Sequence, residues 1–160
     1  MAERTRGYAH RVDIKASAEL VWRALTEPAL MMVWCGPGAR VTPRASGSYQ
    51  VRLNSDLDRE AHIDVWEPPR RLRLIYLAPR ELPHSEAVVV DDFIIDAHQG
   101  LTVVRLLGSG FPEDQAWEAY GVRVRANWGL ALARLKVCSE QLAAGREPVR
   151  AGATAPGRKA

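Results

Sequence analysis

Apolar and polar residues alternate with a period of two through most of this chain and switch to a helical period near its start and again over its last third. Tyr8 to Lys15 alternates around Ala9, Val12 and Ile14 and predicts a first strand. Ser17 is a good N-cap for a helix over Ala18 to Leu25, with Leu20, Val21, Ala24 and Leu25 on one face. Thr26-Glu27-Pro28 breaks that helix, because proline lacks a donor and constrains the residue before it. A second short helix, Ala29 to Trp34, ends at Gly36-Pro37-Gly38.

The middle of the chain is a succession of strands and turns. A short strand is expected at Arg40 to Thr42, then longer ones at Ser48 to Leu53, Glu60 to Trp66 and Leu72 to Leu77. The turns between them are Ser46-Gly47, the polar stretch Asn54 to Asp58, and Glu67 to Arg70. After a proline-rich loop, Pro79 to His84, strands at Ala87 to Asp96 and Leu101 to Leu107 pair across His98-Gln99-Gly100. Gly108 to Glu113 then interrupts the pattern. Even spacing of this kind argues for an antiparallel meander.

One long helix is predicted from Asp114 to Ala144. Trp117, Tyr120, Val124, Trp128, Ala131, Leu135, Cys138 and Leu142 form its apolar stripe, with Glu118, Arg125, Lys136 and Glu140 away from it. Gly121 lies on the stripe and suggests room for a close contact or a ligand. A bent sheet cannot bury its concave face against two short helices alone, so the long helix must cover it. The expected fold is therefore α+β, a helix-grip arrangement. In it, a curved antiparallel sheet of six to seven strands wraps around a long C-terminal helix, with two short helices after the first strand. A cavity between sheet and helix is a common place for a ligand. Residues 1–145 are expected to form one domain and residues 146–160, rich in Ala, Gly, Pro and Arg, a flexible tail.

Composition changes this picture little. At 160 residues the chain can bury a core without a disulfide or metal staple. The net charge of +3 has no basic helix or aromatic-basic stripe beside it, which argues against nucleic acid as a partner. Cys35 and Cys138 form neither a metal-ligand pattern nor a disulfide framework, and no histidine pair is spaced for a metal. Met1 to Ser17 carries no signal-peptide core, and no apolar run is long enough to span a membrane. Cytoplasmic location, no cofactor, no membrane insertion, and a monomer or homodimer are the expectations.

The chain resembles the SRPBCC (START-like) superfamily, in the branch similar to the C-terminal domain of the activator of the heat-shock-protein-90 ATPase. Segments matching in order are Ile14 to Pro28, Trp34-Cys35-Gly36-Pro37, Trp66 to Leu72, Gly100 to Leu106, Ser109 to Pro112, and Asn127-Trp128 with Leu132 and Leu135. Three positions depart from the family pattern. Cys35 stands where a second aromatic is usual, and Asn127 and Ala61 where glycine is common. The resemblance implies the helix-grip fold, but the superfamily hosts several functions on it.

Candidate ligand-lining residues are Trp34, Trp66, Tyr76, Phe93, Trp117, Tyr120, Val124 and Trp128; large aromatics suit either a planar ligand or a packed core. Asp91 and Tyr76 are the candidates for catalysis. Asp91 shares a strand face with Val89, Phe93 and Ile95, of which the resemblance makes Phe93 and Ile95 inward, and a carboxylate placed in a cavity there could act as general acid or base. Asp92 and Asp96 share the opposite face with Val88, Val90 and Ile94, and for all three aspartates the alternative is a solvent-facing carboxylate opposite a cross-strand arginine, Arg73 or Arg105. His62 and Asp64 alternate with Trp66 and could form a proton relay or an exposed polar face. His10, His84 and His98 are expected at the surface, and Cys35 is read as a small buried hydrophobe. The leading functional expectation is binding of a small hydrophobic or aromatic molecule between sheet and helix. The alternatives are a cyclase- or aromatase-like enzyme and a co-chaperone-like interaction domain.

Overall fold

The computed structural model describes residues 4–54 and 57–149. Ser55 and Asp56 of the expected polar turn, and residues 150–160 of the expected tail, lie outside that range. The elements are β1 (Thr5–Ile14), α1 (Ala18–Thr26), α2 (Pro28–Trp34), β2 (Arg40–Val41), β3 (Ser48–Asn54), β4 (Leu57–Glu67), β5 (Arg71–Leu77), β6 (Val88–His98), β7 (Leu101–Pro112) and α3 (Gln115–Ala143). The seven strands form one antiparallel sheet in the order β1-β7-β6-β5-β4-β3-β2. The meander from β2 to β7 is sequential; only β1 is out of order, laid beside β7. The two short helices carry the chain from β1 to the far edge, and α3 packs against β1, β3 and β7 and against α1 and α2. This is the α+β helix-grip fold.

Local chemistry sets the helix ends. The Ser17 hydroxyl accepts from the Leu20 amide at 3.2 Å, Pro28 opens α2 where its missing donor is harmless, and Asp114 caps α3 by accepting from the amides of Ala116 (2.9 Å) and Trp117 (3.4 Å). Each such cap contributes about 1 kcal/mol.

Two strands run differently from the alternation read along the sequence. In β1 the buried residues are Tyr8 and Ile14, while Ala9 is exposed and His10 is half-buried beneath α3 rather than at the surface. β7 does not stop at Leu107 but continues through Gly108-Ser109-Gly110 to Pro112, pairing with β1 on one side and β6 on the other. Glycine reads as a break, yet here a central strand needs it. A Cβ on Gly108 would collide with the Tyr8 ring, and a Cβ on Gly110, whose φ is +91°, would meet the Val88 carbonyl.

A bulge in β4 also moves residues between faces. Ile63 pairs with Leu74 and Val65 with Arg73, so Asp64 is the extra residue. Before it, Leu57, Arg59, Ala61 and Ile63 face inward. After it the phase flips, Trp66 comes opposite Leu72, and its ring lies edge-on to Trp22 of α1 with centroids 5.0 Å apart. His62 and Asp64 therefore do not share a face with Trp66. Both are exposed, and Asp64 lies 3.5 Å from Arg73. Among the described residues no helix is long and apolar enough to cross a membrane.

Candidate functional site

Three inward positions on adjacent strands line up across the sheet. Tyr8 of β1 is the register partner of Gly108, and Gly108 that of Asp91 on β6. Because Gly108 has no side chain, the Tyr8 ring lies over it and its hydroxyl donates to Asp91 Oδ1 in a short hydrogen bond. From the other side Arg59 of β4 donates through Nη1 to Asp91 Oδ2 at 2.6 Å, and the Trp128 indole of α3 donates to the same oxygen at 3.1 Å. The Arg59 and Asp91 side chains are 1% and 0% exposed, so this is a fully buried ion pair. The Arg59 guanidinium lies 3.7 Å over the centre of the Tyr76 ring, at the strand position opposite small Ala61.

Three donors on one carboxylate supply what burial removes. Burial by itself would pull the pKa of Arg59 down; the Asp91 charge and the smaller contributions of the surrounding tyrosines together outweigh it, and the guanidinium is held more firmly protonated than usual. Tyr8 and Tyr76 are both pushed well up, first by burial and next by the Asp91 carboxylate, so both hydroxyls keep their protons. Two polar atoms of the cluster, Arg59 Nε and the Tyr76 hydroxyl, find no hydrogen-bond partner among the described residues. The Tyr76 hydroxyl lies near enough to Asp91 for that carboxylate to raise its pKa by charge and by a weak hydrogen-bonding contribution, but the contact falls outside full hydrogen-bond geometry.

Two clefts open on this cluster from opposite sides. The larger, about 1040 Å³, runs along β4 and β5 under the segment 78–82 and the α3 residues Ala119, Tyr120 and Arg123, with Arg59 and Tyr76 among its lining residues. The smaller, about 450 Å³, lies between β1, the end of β7 and the first turns of α3, and includes Tyr8, Phe111, Trp117 and Gly121. A Cβ on Gly121 would meet only the Phe111 ring at 3.5 Å, an ordinary contact, so the glycine is not forced by close packing.

Of the residues picked from the sequence, Tyr76, Asp91 and Trp128 come together in the buried cluster, and Tyr120 borders the larger cleft. Trp34, Phe93 and Val124 are buried in the core. Phe93 lies edge-on to Trp128 at 5.4 Å, and the Trp34 indole donates to the Ala24 carbonyl at 2.7 Å. The Trp117 ring is buried, donates to Pro83 O at 2.7 Å and borders the smaller cleft. Trp66 stands apart, at the other end of the strands from Tyr76. Asp92 and Asp96 are bound by Arg71 (2.9 Å) and Arg105 (3.0 Å). Cys35 is buried and donates its thiol to Met31 O. Sequence reading overlooked Arg59 and Tyr8. The signal for Arg59 was present: it shares the inward phase of Leu57, Ala61 and Ile63, where a charge needs a buried partner.

No group of three or more His, Cys, Asp or Glu among the described residues is placed to hold a metal ion. The architecture defines a helix-grip protein with a polar cluster beneath its long helix. More particularly, the chain belongs to the family described as activator of Hsp90 ATPase homolog 1-like protein, whose model matches residues 15–140. Among solved structures it is similar to protein MLL2253 from Mesorhizobium loti (TM-score 0.73, 18% identity, covering 85% of this chain and 98% of that one). It is similar as well to the Aha1 dimer from Colwellia psychrerythraea (0.70, 21%, 84% and 96%) and to CalU16 from Micromonospora echinospora (0.60, 17%, 88% and 87%). Identities this low show the shared fold. No curated protein matches the sequence.

Proposed function

We propose that this chain binds a small molecule with an apolar or aromatic body in the larger cleft, between the sheet and α3, against Tyr76 and Tyr120. The observation that carries this reading is the buried Arg59–Asp91 pair, with its tyrosines, at the edge of a cleft of about 1040 Å³. Buried ion pairs are seldom the most stable filling for a core, so their presence under an opening favours a role in recognition. Binding is favoured over turnover because the groups at hand are committed. Asp91 accepts from Tyr8, Arg59 and Trp128, and the raised pKa of both tyrosines makes them hydrogen-bond donors at neutral pH rather than bases.

The test is native mass spectrometry of gently purified protein, followed by thermal shift against fatty acids, flavonoids and polycyclic aromatics. A copurified apolar mass, or stabilisation by one class that Tyr120→Ala abolishes, is the expected result. An unliganded mass with an unchanged melting temperature across the panel would refute the proposal.

A further inference from the structure

We infer that the group this cleft recognises on its ligand is a neutral carbonyl-type acceptor, taken by Nε of Arg59 and the hydroxyl of Tyr76. The inference rests on the ligand reading above and adds a chemistry to it. Both residues line the larger cleft, both are at least nine-tenths buried, and both carry a polar atom without a partner among the described residues. Native proteins leave few such atoms orphaned, because each forfeits its hydration and receives nothing in exchange. Two in one place, beside an opening, are what a site for a missing partner looks like.

The sign of the missing partner follows from what is already engaged. A guanidinium has only donors, and a protonated phenol offers one. Oδ1 of Asp91 accepts from Tyr8 and Oδ2 from Arg59 and Trp128, and neither oxygen is in hydrogen-bond geometry with Arg59 Nε or the Tyr76 hydroxyl. The ligand must therefore bring an acceptor. Its charge follows from the ion pair. Asp91 already neutralises Arg59, so a carboxylate placed here would leave a net negative charge out of water, whereas a ketone or quinone oxygen would not. One carbonyl oxygen has two lone pairs and can take both donors. The exposed part of Tyr120 beside the cleft supplies an apolar wall for the rest of the molecule.

Two matched probe sets separate the possibilities, one flat (fluorene, 9-fluorenone, fluorene-9-carboxylate) and one flexible (octane, 2-octanone, octanoate). Dissociation constants would be measured by equilibrium dialysis on the full chain and on Tyr76→Phe, a variant that deletes only an unpartnered hydroxyl and whose melting temperature is expected to match the parent. In at least one set the ketone should bind about tenfold more tightly than the hydrocarbon, a difference of about 1.4 kcal/mol, and more tightly than the carboxylate. Tyr76→Phe should reduce that preference to about threefold while leaving the hydrocarbon's affinity unchanged. Equal affinity for ketone and hydrocarbon in the parent protein, strongest binding by the carboxylate, or a preference unaltered in Tyr76→Phe would overturn this inference and leave the ligand reading standing. Failure of every probe to bind would overturn both.

Discussion

Replacing Asp91 by asparagine keeps the shape of the side chain and removes its charge. Arg59 is then left 1% exposed with no counter-charge, and the Tyr8 and Trp128 donors face a neutral amide. Breaking a buried pair by removing one member costs about 3–5 kcal/mol, because the remaining charge is stranded out of water. A domain has only about 5–15 kcal/mol of stability, so Asp91→Asn should be folded but fragile. Urea unfolding followed by tryptophan fluorescence reads this directly, since the Trp128 indole touches the site. With a slope of about 2 kcal/mol/M, the midpoint should fall by about 2 M. Arg59→Met should be destabilised as well, through the unpartnered carboxylate it leaves. The decisive measurement is the double variant Asp91→Asn/Arg59→Met, where neither charge is stranded. It should be markedly more stable than the sum of the single losses predicts, with a coupling of about 2 kcal/mol or more. A loss below about 1 kcal/mol for Asp91→Asn, or strict additivity in the double variant, would show that the pair is not the buried unit described here.

Gly108→Ala should cost about 1–3 kcal/mol in denaturant unfolding, because the new methyl occupies the place of the Tyr8 ring and forces that side chain off Asp91. Gly121→Ala should do the reverse and raise stability by up to about 1 kcal/mol, since the helix gains a better former and the methyl meets Phe111 only at 3.5 Å; a loss would mean that the backbone of α3 needs glycine there. His10 donates to the Arg125 carbonyl from a half-buried site, and burial lowers its pKa below 6.5. The unfolded chain therefore takes up the proton first, so the stability contribution of His10 is fully present above about pH 6.5 and declines as the pH falls below it. Unfolding at pH 7.5 and 5.5 should show a smaller pH dependence in His10→Asn than in the parent, and equal slopes would refute the assignment.

The overall fold was legible because it depends on periods and turn residues, and those are local. The stripe on α3, the caps at Ser17 and Asp114, and the alternation of Val89, Asp91, Phe93 and Ile95 lead directly to buried faces. What was not legible depends on pairing between distant strands. Gly108 reads as a terminator in isolation and becomes a strand residue only because Tyr8, far away in sequence, needs its vacancy. Asp64 reads as one step in an alternation and becomes a bulge only when β5 fixes the register on both sides of it. The aromatic residues were ambiguous for another reason, because burial energy does not reveal whether a ring meets protein or ligand.

That ambiguity shifts weight from the tryptophans to the charges. Trp34, Phe93, Trp117 and Trp128 can be explained as packing, since each is fully buried and the three indoles have acceptors of their own. The Arg59–Asp91 pair cannot be explained in that way. Elsewhere α3 packs through the fully buried Val124, Ala131 and Leu135, and its ion pair to the sheet, Glu118 with Arg6, is exposed, so a buried pair is not what holds the helix. A sequence that keeps an arginine and an aspartate on facing inward positions accepts a desolvation cost that leucine would avoid. Here it also leaves two donors of the cluster unanswered beside an opening. If the double variant Asp91→Leu/Arg59→Met proves as stable as the parent yet no longer binds the ketone probes, the pair is there for recognition. If it neither folds as well nor changes binding, the cluster is structural and the search for a ligand belongs in the smaller cleft beside Tyr8.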